Sequence, residues 1–171
     1  DTDVIAANAV TEAKLGTKTF VSYAAICDQK AEGVNGGTFT TGAWRTRDLN
    51  TEITDADGIV SISSNQFTLG AGSYLIKWAA PAERCGVHQS RLYDITASNV
   101  AQYGRSSFSD TGSDGDASVS SGIGRVVISS SNTYEIQHRC GTTSATAGLG
   151  RAAGFSGNVE IYTIVDIYKE A

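Results

Sequence analysis

The stretch "NVEIYTIVDIY", residues 158–168, alternates its side chains with the two-residue period of an extended strand. Val159, Ile161, Thr163, Val165 and Ile167 share one side and form an apolar face suited to a sheet interior. Glu160, Tyr162, Ile164, Asp166 and Tyr168 share the other, which is too apolar for open solvent. Tyrosine joins a large apolar body to a polar tip and is enriched where subunits meet. The second face therefore reads as a contact with another subunit, against the plainer alternative of a strand covered by its own loops. "GSYLIKW", residues 72–78, is likewise apolar on both sides, with Tyr74, Ile76 and Trp78 opposite Leu75 and the stem of Lys77.

Short runs of this kind recur along the chain, separated by Gly, Ser, Asn and Asp clusters. Strands are expected near 19–28, 59–63, 65–69, 72–80, 86–96, 99–104, 123–130, 132–140 and 158–168. Nineteen glycines against one proline suit an all-β sandwich or barrel, and 171 residues fit one domain with a real core. Pro81 cannot donate to a ladder, so it is expected at a strand end, bulge or edge. Residues 105–122 and 140–157 are expected to be long loops. The N-terminus differs: "DVIAANAVTEAKLG", residues 3–16, has the composition of a short helix capped by Asp3 and stopped at Gly16. Alone it is marginal, and it needs a surface to pack on. Residues 1–18 thus form an expected attachment or oligomerisation segment before a domain at 19–171. Because the sequence starts at Asp1, we expect a processed form or a piece of something longer.

A net charge of −5, with 13 basic residues scattered along the chain, argues against nucleic acid as a partner. Cys27, Cys85 and Cys140 cannot all pair within one chain and lack C-x-x-C spacing, so free thiols made in a reducing cell are expected. With no apolar run long enough to span a bilayer and no signal-peptide pattern, the expectation is a soluble protein without a membrane partner.

Two clusters offer chemistry. In "YEIQHRCG", residues 134–141, His138 and Cys140 fall on the apolar side of a strand. In "ERCGVHQ", residues 83–89, Cys85 and His88 are three apart and would point to opposite faces of a regular strand. Zinc needs three or four convergent ligands, so buried structural residues are the favoured reading. A threefold axis, where three copies of His88 or His138 meet on an ion, stays open as the alternative. No serine stands in G-x-S-x-G, and "GLGRAAG", residues 148–154, lacks the spacing and the strand-to-helix setting of a dinucleotide loop. "DADG" at 55–58 and "DTGSDGD" at 110–116 read as turns rather than calcium loops, lacking the closing Glu. No catalytic residue, cofactor or metal is expected.

"NQFTLGAGSYLIKWAAPA", residues 65–82, with "HQSRLYDIT", "YEIQHRCGTT" and "VEIYTIVDIY", resembles the tumour-necrosis-factor-like and complement globular-head jelly rolls, in a bacteriophage version. The resemblance spans roughly residues 19–168. "ANAVTEAKLG", residues 7–16, is similar to A-V-T-x-A-K-L repeats that precede such domains in phage tail-fibre and other virion appendage proteins. This implies a ten-strand antiparallel jelly roll that forms a homotrimer and is joined to other virion proteins by its N-terminal segment. The implied role is a fibre tip or capsid decoration on the virion, made in the host cytoplasm and then carried outside on the particle. Such a domain adheres to a host surface glycan or protein; the alternatives are a purely structural cap and a surface polysaccharide depolymerase. Receptor contacts are expected from Arg105, Phe108, Arg151 and Phe155 in the two long loops. Subunit contacts are expected from Tyr162, Ile164, Tyr168, His88 and His138.

Overall fold

A computed structural model describes residues 19–112 and 116–171. The expected N-terminal helix and attachment segment, residues 1–18, lie outside the described residues. Among the described residues eleven strands follow one another: β1 (Phe20–Lys30), β2 (Arg45–Thr46), β3 (Thr51–Asp55), β4 (Val60–Ser63), β5 (Gln66–Leu69), β6 (Gly72–Glu83), β7 (Gly86–Asp94), β8 (Asn99–Ser109), β9 (Ala117–Ile128), β10 (Asn132–Cys140) and β11 (Glu160–Glu170). They form two antiparallel sheets, β3-β1-β11-β6-β9 and β4-β5-β10-β7-β8, with the two-residue β2 added on β10. From β5 onward the chain changes sheet at every connection except the β7–β8 hairpin, which is the winding of a jelly roll. The all-β jelly-roll expectation therefore holds.

Alternation places the core between the sheets. Ala24 and Ile26 of β1, Tyr74, Ile76 and Trp78 of β6 and Val165 and Ile167 of β11 face Phe67, Leu69, Leu92, Tyr134 and Ile136 of the other sheet. At ~1.5–3 kcal/mol for each large apolar side chain taken from water, this layer is the main source of stability. A smaller apolar cluster, Phe39, Ala82, Cys85 and Cys140, closes one end.

Three expectations need correction, and a fourth, the edge placement of Pro81, holds only on one side of its strand. Residues 105–122 are mostly strand: β8 runs on to Ser109 and β9 starts at Ala117. The serines and glycines there carry little strand propensity, but the sandwich uses them for their size. A Cβ on Gly104 would lie 2.6 Å from Ser90 Oγ, and one on Gly122 would lie 2.0 Å from Trp78 Cζ2. Secondly, β2 and β3 escaped the pattern, because neither has an alternating apolar face. Pro81 lies inside β6, opposite Val119 of β9, but beyond Ala79, the last β6 residue paired with β11. Its carbonyl accepts Arg47 Nη1 at 3.2 Å, so its imide nitrogen faces the side where no ladder bond is missed.

The third correction is to β11 itself. Its pairing with β1 steps from Cys27–Ile164 to Gln29–Ile161, so β11 gains one residue at a bulge. Tyr162 and Thr163 consequently both turn inward, whereas Val159 and Ile161, expected in the core, are exposed. Tyr162 is a packed interior residue of its own chain and not a subunit contact: its hydroxyl donates to Val34 O at 2.7 Å. Ile164, Asp166 and Tyr168 keep their outward position and are half-buried.

Candidate functional site

Both histidines lie within the protomer, on the inner side of the six-stranded sheet. His88 Nδ1 and His138 Nε2 are 2.9 Å apart, and His88 Nε2 sits 2.7 Å from Ser118 Oγ. His138 packs its ring on Phe39, and its Nδ1 is buried without a hydrogen-bond partner among the described residues. His138 is fully buried and His88 nearly so within the protomer, so neither ring stands out from its surface as the expected subunit contacts would. The parity argument for Cys85 fails as well. Arg84 and Gly86 both take positive φ, so Cys85 belongs to a corner between sheets and is buried like His88.

The chain Ser118–His88–His138 has the hydrogen-bond order of a hydrolase triad but not its electrostatics. Burial, with a smaller effect of the nearby Arg47 charge, pushes His88 down to about 4 and His138 to about 2. A base that weak takes no proton from a serine hydroxyl near neutral pH, and among the described residues no carboxylate orients the second ring. The three free cysteines are buried; burial raises their pKa values, Cys140 to about 11, which keeps the thiols protonated and unreactive. Among the described residues no group of three or more His, Cys, Asp or Glu side chains can hold a metal.

Arg47 occupies the interior beside them. Fully buried, it donates Nε to Thr163 Oγ1 at 2.7 Å, Nη1 to Pro81 O and Nη2 to Leu149 O at 2.7 Å. It thereby ties β6, β11 and the 141–159 loop together. Glu160, also buried, ties two loops by accepting the backbone N–H groups of Gly33, Ala153 and Gly154. Asp55 is likewise occupied by the Ile59 and Val60 N–H groups at 2.8 and 2.9 Å, as its turn reading requires.

The four expected receptor residues separate. Phe108 stands exposed at the end of β8 beside Val87, its cross-strand neighbour on β7. Phe155 is exposed in the 141–159 loop at the same end of the sandwich. Arg151 is also in that loop, but its guanidinium is engaged by the buried Glu83 carboxylate. Arg105 lies away from them in β8, lining a groove with Lys77, Tyr103 and Ile123.

A better-formed site lies on the outward face of the six-stranded sheet. Outward residues align across β10, β7 and β8 as Arg139–Gln89–Ser106 and, one row on, Gln137–Arg91–Tyr103. Trp44, from the loop before β2, lies over them. The Arg91 guanidinium stacks 4.0 Å from the centre of the Trp44 ring and 4.9 Å from that of Tyr93, while its Nε donates to Gln137 Oε1 at 2.7 Å. Tyr103 meets Trp44 from the side, with ring centres 6.4 Å apart. Next to this array is a cavity of about 640 Å³ bordered by Trp44, Val87, Gln89, Ser106 and Arg139. Nothing in the alternation singled out Trp44; the only signal was a tryptophan set between polar residues in "TTGAWRTRD".

The outward face of the five-stranded sheet is different. Leu75, Ile164 and Tyr168 are half-buried there, Ile123 and Val127 are exposed, and Tyr23 donates to Asp166 Oδ1 at 2.6 Å. Phe20 and Tyr23 flank the Tyr168 ring, with Lys77 Nζ 5.6 Å above it. Among the described residues no third sheet lies over this face, which is an outer side of the two-sheet sandwich.

No protein-family model matches the chain, and no curated protein matches it. Solved structures do. The globular domain of a zebrafish complement 1qA protein is 16% identical, with 86% of this chain and 95% of that chain covered and a TM-score of 0.55. Eiger, a tumour necrosis factor from S. frugiperda, is 11% identical, with 90% and 94% covered and a TM-score of 0.58. Murine APRIL at pH 5.0 is 8% identical, with 86% and 98% covered and a TM-score of 0.55. At such identities the likeness is one of fold: this chain has the jelly roll of the tumour-necrosis-factor and complement globular-head domains.

Proposed function

We propose that the protein is a non-enzymatic, homotrimeric head domain of a bacteriophage virion appendage, a fibre tip or a capsid decoration, that contacts the host surface. The observation that carries the trimer is the uncovered face of the five-stranded sheet. Five aliphatic or aromatic side chains there, Leu75, Ile123, Val127, Ile164 and Tyr168, remain wholly or partly open to solvent in one protomer. Charged groups are interleaved with them, Lys77 lying between Asp166 and Ile123 and Arg125 beside Leu75, and large apolar side chains left open among charges on one sheet face suit a subunit interface. The jelly-roll likeness supports the same assembly. The virion setting is supported by the N-terminal "ANAVTEAKLG" alone, and adhesion by the solvent-open aromatic and cationic surfaces described above.

The deciding measurement is native mass by light scattering after size exclusion. A mass three times 17.8 kDa is expected, falling to the protomer mass in Ile164→Asp, which places a charge on the outward side of β11, the middle strand of the sheet. A wild-type protomer mass would overturn the proposal. Loss of particle attachment on deleting residues 1–16, with the trimer intact, would place the tether in that segment.

A further inference from the structure

We propose that the outward face of the six-stranded sheet carries a binding site for a carboxylated saccharide, in the cavity between Trp44, Gln89, Ser106 and Arg139. This rests on the adhesive reading above for its purpose, but the site lies within one protomer. Three observations converge on the ligand class. First, the cavity has the size of a small-molecule site and is open, its lining mixing hydroxyl and amide groups of Ser106, Ser107 and Gln89 with apolar surface that includes Trp44 and Val87, while Thr41 Oγ1 is committed to the Cys140 and Gly141 carbonyls. An apolar ligand would strand those polar groups, whereas the hydroxyls of a sugar match them.

Secondly, Trp44 is a fixed platform. Arg91 and Tyr103 hold the indole, and Arg91 is itself held by Tyr93 and Gln137. An immobilised ring costs little further entropy when the apolar C–H face of a sugar lies on it. Gln89 is similarly set, with its Nε2 committed to Gly104 O at 2.9 Å.

Thirdly, charge selects among sugars. Outward positions of β7 and β10 carry two guanidinium groups, Arg91 and Arg139, and one carboxylate, Glu135. Glu135 is buried and spoken for by Gln66 and Gln137. Arg139 is exposed and has no hydrogen bond or ion pair to any described residue, so its planar fork faces the cavity rim free to clamp a carboxylate. On a chain of net charge −5 this is a local cationic patch, and it favours an acidic sugar over a neutral one.

The test is calorimetric titration of the intact protein with 3′-sialyllactose and tri-galacturonate, with lactose as the neutral probe, and light scattering on the same samples. At least one acidic probe should bind about tenfold or more tighter than lactose, the gap narrowing with salt. Arg139→Met should abolish that preference. Trp44→Ala should weaken acidic and neutral probes alike by about tenfold or more, and Trp44→Phe should retain most of the binding and so control for folding. Failure of every probe on a sample of trimer mass would overturn the site while leaving the assembly standing. Binding by a sample of protomer mass would do the reverse. Unchanged affinity in both Trp44→Ala and Arg139→Met, or a change in assembly mass on Trp44→Ala, would also overturn the site.

Discussion

Replacing Arg47 by alanine should cost about 3 kcal/mol of stability, and the figure can be built from its surroundings. Three acceptors lose their donor: Thr163 Oγ1, Pro81 O and Leu149 O. At ~1–1.5 kcal/mol each they account for ~3–5 kcal/mol. The side chain is completely buried, and loss of its aliphatic stem removes ~2 kcal/mol more. Against this stands the strain of keeping a cation in the interior. Burial drives the guanidinium down to about 10 despite the opposing pull of Asp28 and Asp48. That is roughly 2–3 pH units below its usual value, or ~3–4 kcal/mol recovered when the charge is removed. Arg47→Met keeps the stem's packing and recovers the same desolvation, so it should cost only ~1 kcal/mol. Urea melts at one fixed protomer concentration measure both, because mass action ties a subunit assembly's midpoint to concentration. The alanine variant should also melt ~6–12 °C lower, with faster hydrogen exchange at Leu149 and Gly150. If both variants lost the same stability, or the methionine variant exceeded wild type by more than 1 kcal/mol, the three hydrogen bonds would not be holding the loop.

Acid should destabilise the domain through its histidines. The folded-state values of about 4 and about 2 lie below the unfolded value near ~6.5, so the unfolded chain binds more protons as pH falls. Their stabilising contribution is thus fully present above pH ~6.5 and declines as pH drops toward 4, by at most ~1.4 kcal/mol per pH unit for each ring. Imidazole resonances that titrate near pH 6.5 in the folded protein would contradict the buried pair. Glu160 is held below the ordinary carboxylate range by the Ala153, Gly154 and Gly33 N–H groups. Its contribution is present above its unfolded value and lost as pH falls through the folded one. Glu160→Gln should accordingly speed hydrogen exchange at those three amides at pH 7, and unaltered protection would show that the carboxylate is not what fixes the loops. Gly122→Ala would set a methyl 2.0 Å from Trp78 Cζ2, so Trp78 must leave its place and its bond to Ser90 Oγ. A loss of about 2–3 kcal/mol and a red-shifted tryptophan emission are expected; a stable variant with unchanged emission would refute the close approach.

The parts of the fold legible in the sequence are those where one face is buried and the other is not. β7 from Gly86 follows its alternation residue by residue, β6 does so from Ser73 to Ala82, and β10 does so apart from Glu135, which is buried on its outward side. Legibility ends where contact replaces pattern. Ser118, Ser120 and Gly122 look like loop residues and are strand because only small side chains fit beneath Trp78 and Ser90. One inserted residue at Tyr162 reverses the faces of β11 below it, and alternation cannot register an insertion that is paired against a different strand. The Arg91–Trp44 stack joins residues 47 positions apart in sequence, and the two histidines are separated by 50, so neither array follows from local spacing.

On its β8–β9 side the sandwich is sewn shut by serine. Ser120 Oγ bonds to the Arg105 carbonyl at 2.6 Å and to Ser90, whose hydroxyl in turn takes the Trp78 indole N–H. Each of these two strands is one of the two margins of its sheet, β3 and β4 being the others, and at a margin unpaired backbone groups could accept a strand from another chain. Here one margin's carbonyl is already consumed by the other, and β8 is bent by bulges opposite Ser90 and Leu92. Copies that approach along this side thus meet an irregular border that disfavours edge-to-edge strand pairing.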